Sequence, residues 1–295
     1  MINKRQFDVL VYISEHKGCS QRDIAGAIGV SVGTVNKNLT ELVQAGFVQK
    51  GEITVGGLKE LEPYRVKRAV FIAAGFGSRL VPITLNTPKP LVRVNGKMII
   101  ETLLDACVNA EIEEIYIVRG YLGEQFDQLL YKYPNIKFIE NPMYNEANNI
   151  SSIMCARYLL KNAYVCEADL LLYNKSLISK YQYWSNYLGV PVKTTDDWCF
   201  KTNEKGVITK LAVGGNDCAH MFGISYWTDA DGAKLAAHVE DVYSSPGGKE
   251  RYWDQVALEY HISDYEVHVR ECSFNDLVEI DTFNELKAID KIYGM

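Results

Sequence analysis

The sequence has no long hydrophobic run and no cysteine pair at metal-binding spacing. No apolar stretch of the 295-residue chain approaches the roughly 18 residues that a membrane-spanning helix requires. The opening residues, Met1–Asp8, lack the apolar segment of a secretory signal. The seven cysteines are scattered and never spaced C-x-x-C, so we expect small buried thiols instead of disulfides or a zinc site. These absences predict a cytoplasmic globular protein.

Histidine is also scarce, and its five positions suggest neither a metal site nor a proton relay. The sequence therefore assigns no role to His16, His220, His238, His261 and His268. The net charge of −6 is unevenly distributed, because residues 1–68 hold ten Lys or Arg against seven Asp or Glu. The remainder is strongly acidic. A mildly basic head and an acidic body predict two domains with different partners.

A glycine-rich turn follows an apolar run in residues 69–80. The apolar run predicts a buried strand, and glycines after it let backbone amides approach a bound anion. Leu80 occupies the third glycine position of a dinucleotide fingerprint, and the spacing differs from that of a Walker loop. Cations follow at Arg79 and Lys89, which suits a phosphate cradle. The predicted cradle comprises Ala73, Ala74, Gly75, Gly77, Ser78, Arg79 and Lys89.

The first 62 residues show two short helical patterns around Gly29, with Ser20 and Ser31 as helix starts. A glycine-bounded segment over 46–57 follows and predicts a two-stranded wing. This region resembles the winged helix-turn-helix domains of bacterial regulators. Two roles stay open: DNA binding, or dimerisation and ligand sensing. The side chains that would face DNA are Thr34, Asn36, Lys37, Asn38 and Thr40, of which one is basic.

Residues 63–68 form the predicted linker, and strand and helix patterns alternate from residue 69 onward. This alternation predicts an α/β domain over 69–295, with a Rossmann-like, mainly parallel sheet. The predicted strands are 69–74, 113–118, 136–140 and 163–167, and the predicted helices are 98–110, 122–132, 149–160 and 175–187. Ligands of such sheets lie beyond the carboxyl ends of the strands, where the glycine turn begins.

Two acidic residues end short apolar strands in the same manner. Asp169 follows the strand predicted over 163–167, and Asp281 follows Val278-Glu279-Ile280. Beside nucleotide phosphates, carboxylates are suited to holding Mg²⁺. Each aspartate alone is also compatible with a helix N-cap, especially Asp281. Together with Arg79 and Lys89 they favour a metal site.

The order of these motifs resembles the bacterial CTP:phosphocholine cytidylyltransferases, members of the sugar-phosphate nucleotidyltransferase superfamily. The resemblance spans AAGFGSRL, TPKPLVRVNGK, NPMYNEANNISSI, EADLLL, RYWDQV and VEIDT, and covers almost all of residues 69–292. It implies that the glycine turn wraps the triphosphate of CTP, that Lys89 neutralises it, and that Asp169 and Asp281 hold Mg²⁺. It also implies contacts to the base and ribose from Gly120, Tyr121, Asn149 and Ser151.

Aromatic residues concentrate after Asp169 and suggest recognition of a quaternary ammonium group. The resemblance implies a phosphocholine cage with Trp198 and Trp253, whereas Trp227 is expected in the core. The predicted substrate-binding set is Asp197, Trp198, Tyr226, Trp253 and Asp254. An incomplete cage would instead favour a primary amine, as in 2-aminoethylphosphonate or phosphoethanolamine, contacted directly by a carboxylate.

We therefore expect Mg²⁺-dependent transfer of CMP from CTP to phosphocholine, which yields CDP-choline and pyrophosphate. The phosphate of the acceptor is already a nucleophile, so positioning and charge neutralisation carry the catalysis. The alternative of another class is a DNA-binding regulator whose transferase-like body senses a ligand. Retention of Arg79, Lys89, Asp169 and Asp281 favours the enzyme. An oligomer is compatible with either.

Overall fold

The computed structural model describes residues 2–294 and divides the chain into two units. The smaller unit extends through Arg65 and includes Tyr181–Tyr183, and the larger unit holds Val66–Lys180 and the chain from Trp184 onward. The change from one unit to the other falls inside the segment predicted as a linker. Among the described residues, no helix combines the length and the apolar composition that crossing a bilayer requires.

The smaller unit contains the predicted helix-turn-helix. Its first three helices are α1 (Lys4–Glu15), α2 (Gln21–Ile28) and α3 (Val32–Gln44). The helix starts predicted at Ser20 and Ser31 are confirmed, because each side chain accepts a hydrogen bond from the backbone amide three residues later. Gly29 ends α2 in the left-handed conformation, at φ 68°. Leu10 and Val35 are fully buried in the core between these helices.

The wing is shorter than predicted. It consists of β1 (Val48–Gln49) and β2 (Glu52–Ile53), which pair antiparallel, and the next residues form α4 (Val55–Leu61). The second strand ends early because the Thr54 hydroxyl accepts from the Gly57 amide and thereby caps α4. Gly57 fits there because a Cβ would lie 2.4 Å from the carbonyl oxygen of Phe47.

Two of the five side chains predicted to face DNA make contacts inside α3. Asn38 is buried and its amide donates to the Thr34 carbonyl at 2.8 Å. The Thr40 hydroxyl donates to the Asn36 carbonyl at 2.9 Å. Lys37 stays exposed on the same helix.

Within residues 2–294, the larger unit is built on a sheet of seven strands. They are β3 (Arg68–Ala73), β6 (Glu114–Arg119), β7 (Ile136–Glu140), β8 (Ala163–Glu167), β10 (Asn186–Thr202), β11 (Ile208–Trp227) and β12 (His268–Glu271). Their order is β12-β10-β11-β8-β3-β6-β7. Only β11 runs antiparallel to both of its neighbours. The predicted α/β class, with a mainly parallel sheet preceded by a winged helix, is confirmed.

Helices and two short strand pairs, separate from the seven-stranded sheet, complete the larger unit over the described residues. The helices are α5 (Ile99–Asn109), α6 (Ile150–Ala156), α7 (Asp229–Ser244) and α8 (Phe283–Ile289), and a 3₁₀ segment spans Gly123–Tyr131. The short pairs are β4 (Arg93–Val94) with β5 (Lys97–Met98), and β9 (Leu170–Leu172) with β13 (Leu277–Glu279). Three predicted helices, over 98–110, 122–132 and 149–160, have helical counterparts, the last being α6 followed by a 3₁₀ turn.

The helix predicted over 175–187 is wrong. Only Lys175–Leu177 forms a single 3₁₀ turn, and β10 begins at Asn186. The segment between them is irregular because its backbone bonds to the chain that precedes β3: the Lys180 carbonyl accepts from the Val66 amide at 2.9 Å, and Tyr181 forms an isolated antiparallel bridge with Arg65. The aromatic and β-branched residues that follow are buried on both faces, which fits a central strand.

Candidate active site

The glycine turn after β3 encloses one side of a cavity of about 300 Å³. Gly77 has a φ of +62°, and a Cβ there would lie 2.9 Å from Cβ of Lys89, so only glycine allows this close approach. The Gly77 carbonyl accepts from the Thr84 hydroxyl at 2.8 Å, which fixes the turn. Of the predicted cradle, Ala73, Gly75, Gly77, Ser78, Arg79 and Lys89 line the cavity, whereas Ala74 is buried beneath it.

Lys89 joins the two aspartates that the sequence singled out. Its side chain is buried, and Nζ lies 2.7 Å from Oδ2 of Asp169 and 2.9 Å from Oδ1 of Asp281. Burial alone would lower the pKa of Lys89, but the charge of Asp169 and the hydrogen bonds to both carboxylates outweigh it and raise the pKa. Arg79 donates to the same Asp281 oxygen at 2.8 Å. The amine of Lys89 is therefore held as a cation between two anions.

Two further carboxylates, Glu167 and Glu279, lie in this cluster. They belong to matching E-x-D segments at 167–169 and 279–281, which adjoin because β9 pairs with β13 and the Ile280 amide donates to the Asp169 carbonyl. The repeated spacing was the available sequence signal, since residues two apart on an extended chain point to one side. Burial, assisted by the charges of Asp169 and Asp281, raises the pKa of Glu279 to about 9. Burial likewise raises the pKa of Glu167 well above its usual value.

The donor set of this cluster fits a divalent cation. Carboxylate oxygens of Glu167, Asp169 and Glu279 all lie within 4.8 Å of one another. Oδ1 of Asp169 is buried and has no hydrogen-bond partner among the described residues. An oxygen-only set with excess negative charge suits Mg²⁺. Asp281, the other predicted ligand, is engaged by Lys89 and Arg79 in this structure.

A second cavity, of about 410 Å³, adjoins the first. The two share Arg79, Glu167, Asp169, Tyr252 and Asp281 as lining residues. The remaining wall of the second cavity comprises Asp197, Trp198, Met221, Gly223, Asp254 and Glu279. The carboxylate cluster therefore lies where the two cavities meet.

One aromatic pair, Trp198 with Tyr252, faces the second cavity. The rings meet edge to face, with centroids 5.5 Å apart and planes at 64°. Trp198 lies at a register shift in β10, where Asp197 accepts from the Trp198 amide at 2.7 Å. Tyr252 was absent from the predicted set, although it immediately precedes the predicted Trp253 in the same Tyr-Trp-Asp string.

Trp253 and Tyr226 do not occupy the positions expected of them. Trp253 is 1 % exposed and packs in the core against Trp227, which is buried as predicted. Tyr226 is equally buried, and its hydroxyl donates to Oδ1 of Asn162 at 3.1 Å. Each sits on the core side of its segment, so we correct the prediction that they contact substrate.

Asp254 reaches the second cavity from the core. It is 5 % exposed, and Oδ1 accepts from the Tyr187 hydroxyl at 2.8 Å. Burial raises the pKa of Asp254 to about 7, although the Tyr187 hydrogen bond acts in the opposite direction. Asp197, by contrast, is exposed at the mouth of the cavity.

The residues predicted to contact the base and ribose make contacts within the protein around the glycine turn. Asn149 lines the first cavity, and its side chain accepts from the Trp253 amide at 2.9 Å. Ser151 is buried and donates to the Asn148 carbonyl. The Tyr121 hydroxyl donates to the Thr84 carbonyl at 3.0 Å. Gly120 allows Tyr144 to pack closely, since a Cβ would lie 2.6 Å from that ring.

Comparison with known proteins agrees with this geometry. The nucleotidyl transferase family model matches residues 68–183, and a winged helix-turn-helix DNA-binding model matches residues 2–49. A 2-aminoethylphosphonate cytidylyltransferase of Lancefieldella rimae is 37 % identical over 76 % of this chain and 92 % of its own length. A choline-phosphate cytidylyltransferase of Streptococcus pneumoniae is 30 % identical over 76 % of this chain and 97 % of its own.

A solved structure is similar over the same region. It is the CTP:phosphocholine cytidylyltransferase of Streptococcus pneumoniae, which superimposes with a TM-score of 0.71 and 31 % identity. The match covers 77 % of this chain and 99 % of that one.

Proposed function

The chain belongs to the cytidylyltransferases of the nucleotidyl transferase family, and from that premise we propose that it transfers CMP from CTP to an acceptor carrying a primary amine, with 2-aminoethylphosphonate preferred. The observation that carries this choice is the wall of the 410 Å³ cavity, which has carboxylates at Asp197 and Asp254 but a single aromatic pair. A primary ammonium donates hydrogen bonds to carboxylates, whereas a quaternary ammonium cannot. The 37 % identical relative named for this acceptor supports the choice.

Phosphocholine is the second candidate acceptor. The Trp198–Tyr252 pair presents aromatic rings to the same cavity, and such rings attract a quaternary cation. The Streptococcus pneumoniae relative is named for choline phosphate. With Trp253 and Tyr226 in the core, fewer rings are available for a full cage.

In the proposed reaction, an oxygen of the acceptor phosphonate or phosphate attacks the α-phosphorus of CTP in line. The new oxygen–phosphorus bond forms as the bond to pyrophosphate breaks, and no general base is required because the nucleophile is already anionic. The glycine turn donates backbone amides to the triphosphate, and Arg79 and Lys89 offset its charge. Mg²⁺, held by Asp169 with Glu167 and Glu279, would supply further charge neutralisation and orient the phosphates. Asp281 would keep Lys89 and Arg79 aligned.

The test is pyrophosphate release from CTP with 2-aminoethylphosphonate, phosphoethanolamine and phosphocholine, compared at equal concentrations. We expect turnover with all active acceptors to require Mg²⁺ and to disappear in Asp169→Asn. The matched control is Asp276→Asn, because this aspartate lies outside both cavities and bonds to Asn174. A higher kcat/KM for phosphocholine than for either primary amine would contradict the proposed acceptor. CTP binding without turnover on any acceptor would favour a ligand sensor.

A second function, weak binding of duplex DNA, is proposed for the smaller unit. Lys4, Arg5 and Lys37 line one cavity together with Thr34 and Glu41 of α3, so cations outnumber anions in its wall beside the second helix of the helix-turn-helix, although Lys4 is paired with Asp8. We expect binding that weakens steeply between 50 and 200 mM salt, measured by fluorescence anisotropy, and further weakening in Lys37→Glu. Lys59→Glu, on α4, is the control for net charge. Equal affinities of the two variants would contradict a role for this cavity.

A further inference from the structure

Two of the five histidines, His238 and His261, are separated in the sequence but lie in contact in the structure. Their rings stack with centroids 3.8 Å apart, and Asp264 completes a cluster whose ligand atoms lie within 4.8 Å of one another. His238 lies on α7, and His261 and Asp264 follow the π-helical turn Val256–Tyr260. None of the three lines either active-site cavity.

Each imidazole of this cluster has polar neighbours. Nδ1 of His238 lies 2.7 Å from the Tyr265 hydroxyl; in the tautomer with the proton on Nδ1, the Nε2 lone pair is available for a metal. His261 has a carboxylate beside each nitrogen: Asp264 is 3.4 Å from Nδ1, and Asp241 is 3.4 Å from Nε2. A carboxylate that bonds to one imidazole nitrogen while the other binds a metal is a common arrangement.

We propose that His238, His261 and Asp264 form a binding site for a divalent transition metal of the Zn²⁺ class, with Asp241 as a fourth ligand or as the partner that orients His261. Mixed imidazole and carboxylate ligands select Zn²⁺, Co²⁺ or Ni²⁺ over Mg²⁺, which prefers oxygen alone. Tetrahedral ligands about 2.0–2.1 Å from a metal lie roughly 3.3 Å apart, so one imidazole would turn out of the stacked pair when the 4.8 Å cluster closes around an ion.

The site would tie α7 to the segment that carries the acceptor-cavity residues. Tyr252 and Asp254 lie just before the π-helical turn, and His261 and Asp264 lie just after it. A bound ion would therefore link the chain just after this turn to α7. Its role is structural, because the cluster is separate from the carboxylates proposed to hold Mg²⁺.

The experiment measures Zn²⁺ uptake by equilibrium dialysis of the full chain at micromolar Zn²⁺. Millimolar Mg²⁺ is present to occupy the active-site carboxylates. We expect one saturable equivalent for the wild type and for Asp169→Asn, and loss of that equivalent in His238→Gln/His261→Gln. His16→Ala, an exposed histidine of the smaller unit, is the matched control and should retain it. Circular dichroism checks that each variant is folded.

Co²⁺ supplies a readout that depends on geometry. We expect visible absorption bands typical of nitrogen and oxygen ligation in the wild type and in His16→Ala, and their loss in Asp264→Asn, which tests the site if the double histidine variant does not fold. Absence of Zn²⁺ uptake by the wild type would overturn the proposal. So would equal uptake by the wild type and a folded histidine variant.

Discussion

Replacing Tyr187 by phenylalanine tests whether the charge of Asp254 attracts the acceptor amine. The Tyr187 hydroxyl donates to Asp254 at 2.8 Å, and it opposes the rise in the pKa of Asp254 to about 7 that burial causes. Phenylalanine keeps the ring that packs against Trp253 but removes the donor. The pKa of Asp254 should therefore rise further, and a smaller fraction of the carboxyl should be ionised at neutral pH.

The size of the effect follows from the hydrogen bond. A hydrogen bond to a charged group contributes about 1.5–3 kcal/mol, and one pKa unit corresponds to about 1.36 kcal/mol, so the pKa should rise by roughly 1–2 units. At pH 7 the ionised fraction of Asp254 should fall from about one half to between roughly one tenth and one hundredth. If only the carboxylate form binds the ammonium, kcat/KM for the acceptor should fall by roughly 5- to 50-fold at pH 7.

The assay is the pH dependence of pyrophosphate release between pH 6 and about 9.5, with saturating CTP and Mg²⁺ and limiting acceptor. Ionisation of the acceptor itself contributes equally to both enzymes, so the difference between their profiles isolates Asp254. Tyr226→Phe is the matched control, because it removes a buried hydroxyl that bonds to Asn162. Coincident profiles for Tyr187→Phe and the wild type would refute the reasoning, as would an equal displacement in Tyr226→Phe.

Three further predictions concern the acceptor cavity, the glycine turn and the charge of Asp254. Trp198→Ala should raise KM for the acceptor at least tenfold with little change in Tm. Trp253→Ala should instead lower the free energy of unfolding by about 3–5 kcal/mol, as measured by urea denaturation. Equal losses of Tm in the two variants would contradict the placement of Trp198 in the cavity and Trp253 in the core. Gly77→Ala should lower kcat more than tenfold, because its Cβ would meet Lys89 at 2.9 Å and the φ of +62° is unfavourable for alanine; unchanged kcat would show that the turn can relax. Asp254→Asn should stabilise the protein, because a carboxyl with a raised pKa destabilises the folded state as pH rises from 3.8 through about 7. The gain in unfolding free energy, up to about 4 kcal/mol, should be full above pH 7 and vanish towards pH 4. A gain that is independent of pH in urea titrations would contradict this cause.

The parts of the fold that the sequence predicts best are those in which local pattern and tertiary position agree. The strands over 136–140 and 163–167 match their predicted ranges, and Ser20 and Ser31 cap the helices expected of them. The segment over 175–187 fails because its aromatic residues suit either a helix or a strand, and backbone hydrogen bonds to residues 64–66, more than a hundred positions away, decide its conformation. Short-range patterns contain no information about that partner.

Some residues of the candidate site were likewise predictable from the sequence and others were not. Arg79, Lys89, Asp169 and Asp281 are brought together as predicted. The parallel strands β3 and β8 deliver the glycine turn and Asp169 to one rim, and the antiparallel pair β9–β13 places Asp281 beside them. In the Tyr-Trp-Asp string, however, Tyr252 faces the cavities and Trp253 the core. The chain there enters a π-helical turn, so regular helical or strand periodicity cannot assign the inward residue.

The carboxylate cluster at this rim of the sheet carries a cost in the free energy of folding. Glu167, Asp169, Glu279 and Asp281 face only Lys89 and Arg79 among the cations that line the two cavities, and burial together with the neighbouring aspartates raises the pKa of Glu279 to about 9. A proton on Glu279 thus offsets part of the charge in the free protein. Since a raised carboxyl pKa destabilises the folded state increasingly as pH climbs above its ordinary value, Glu167 and Glu279 weaken the fold at neutral pH. Such an arrangement is expected where a cation and a polyphosphate complete the charge balance, because strain of this kind is concentrated at functional sites.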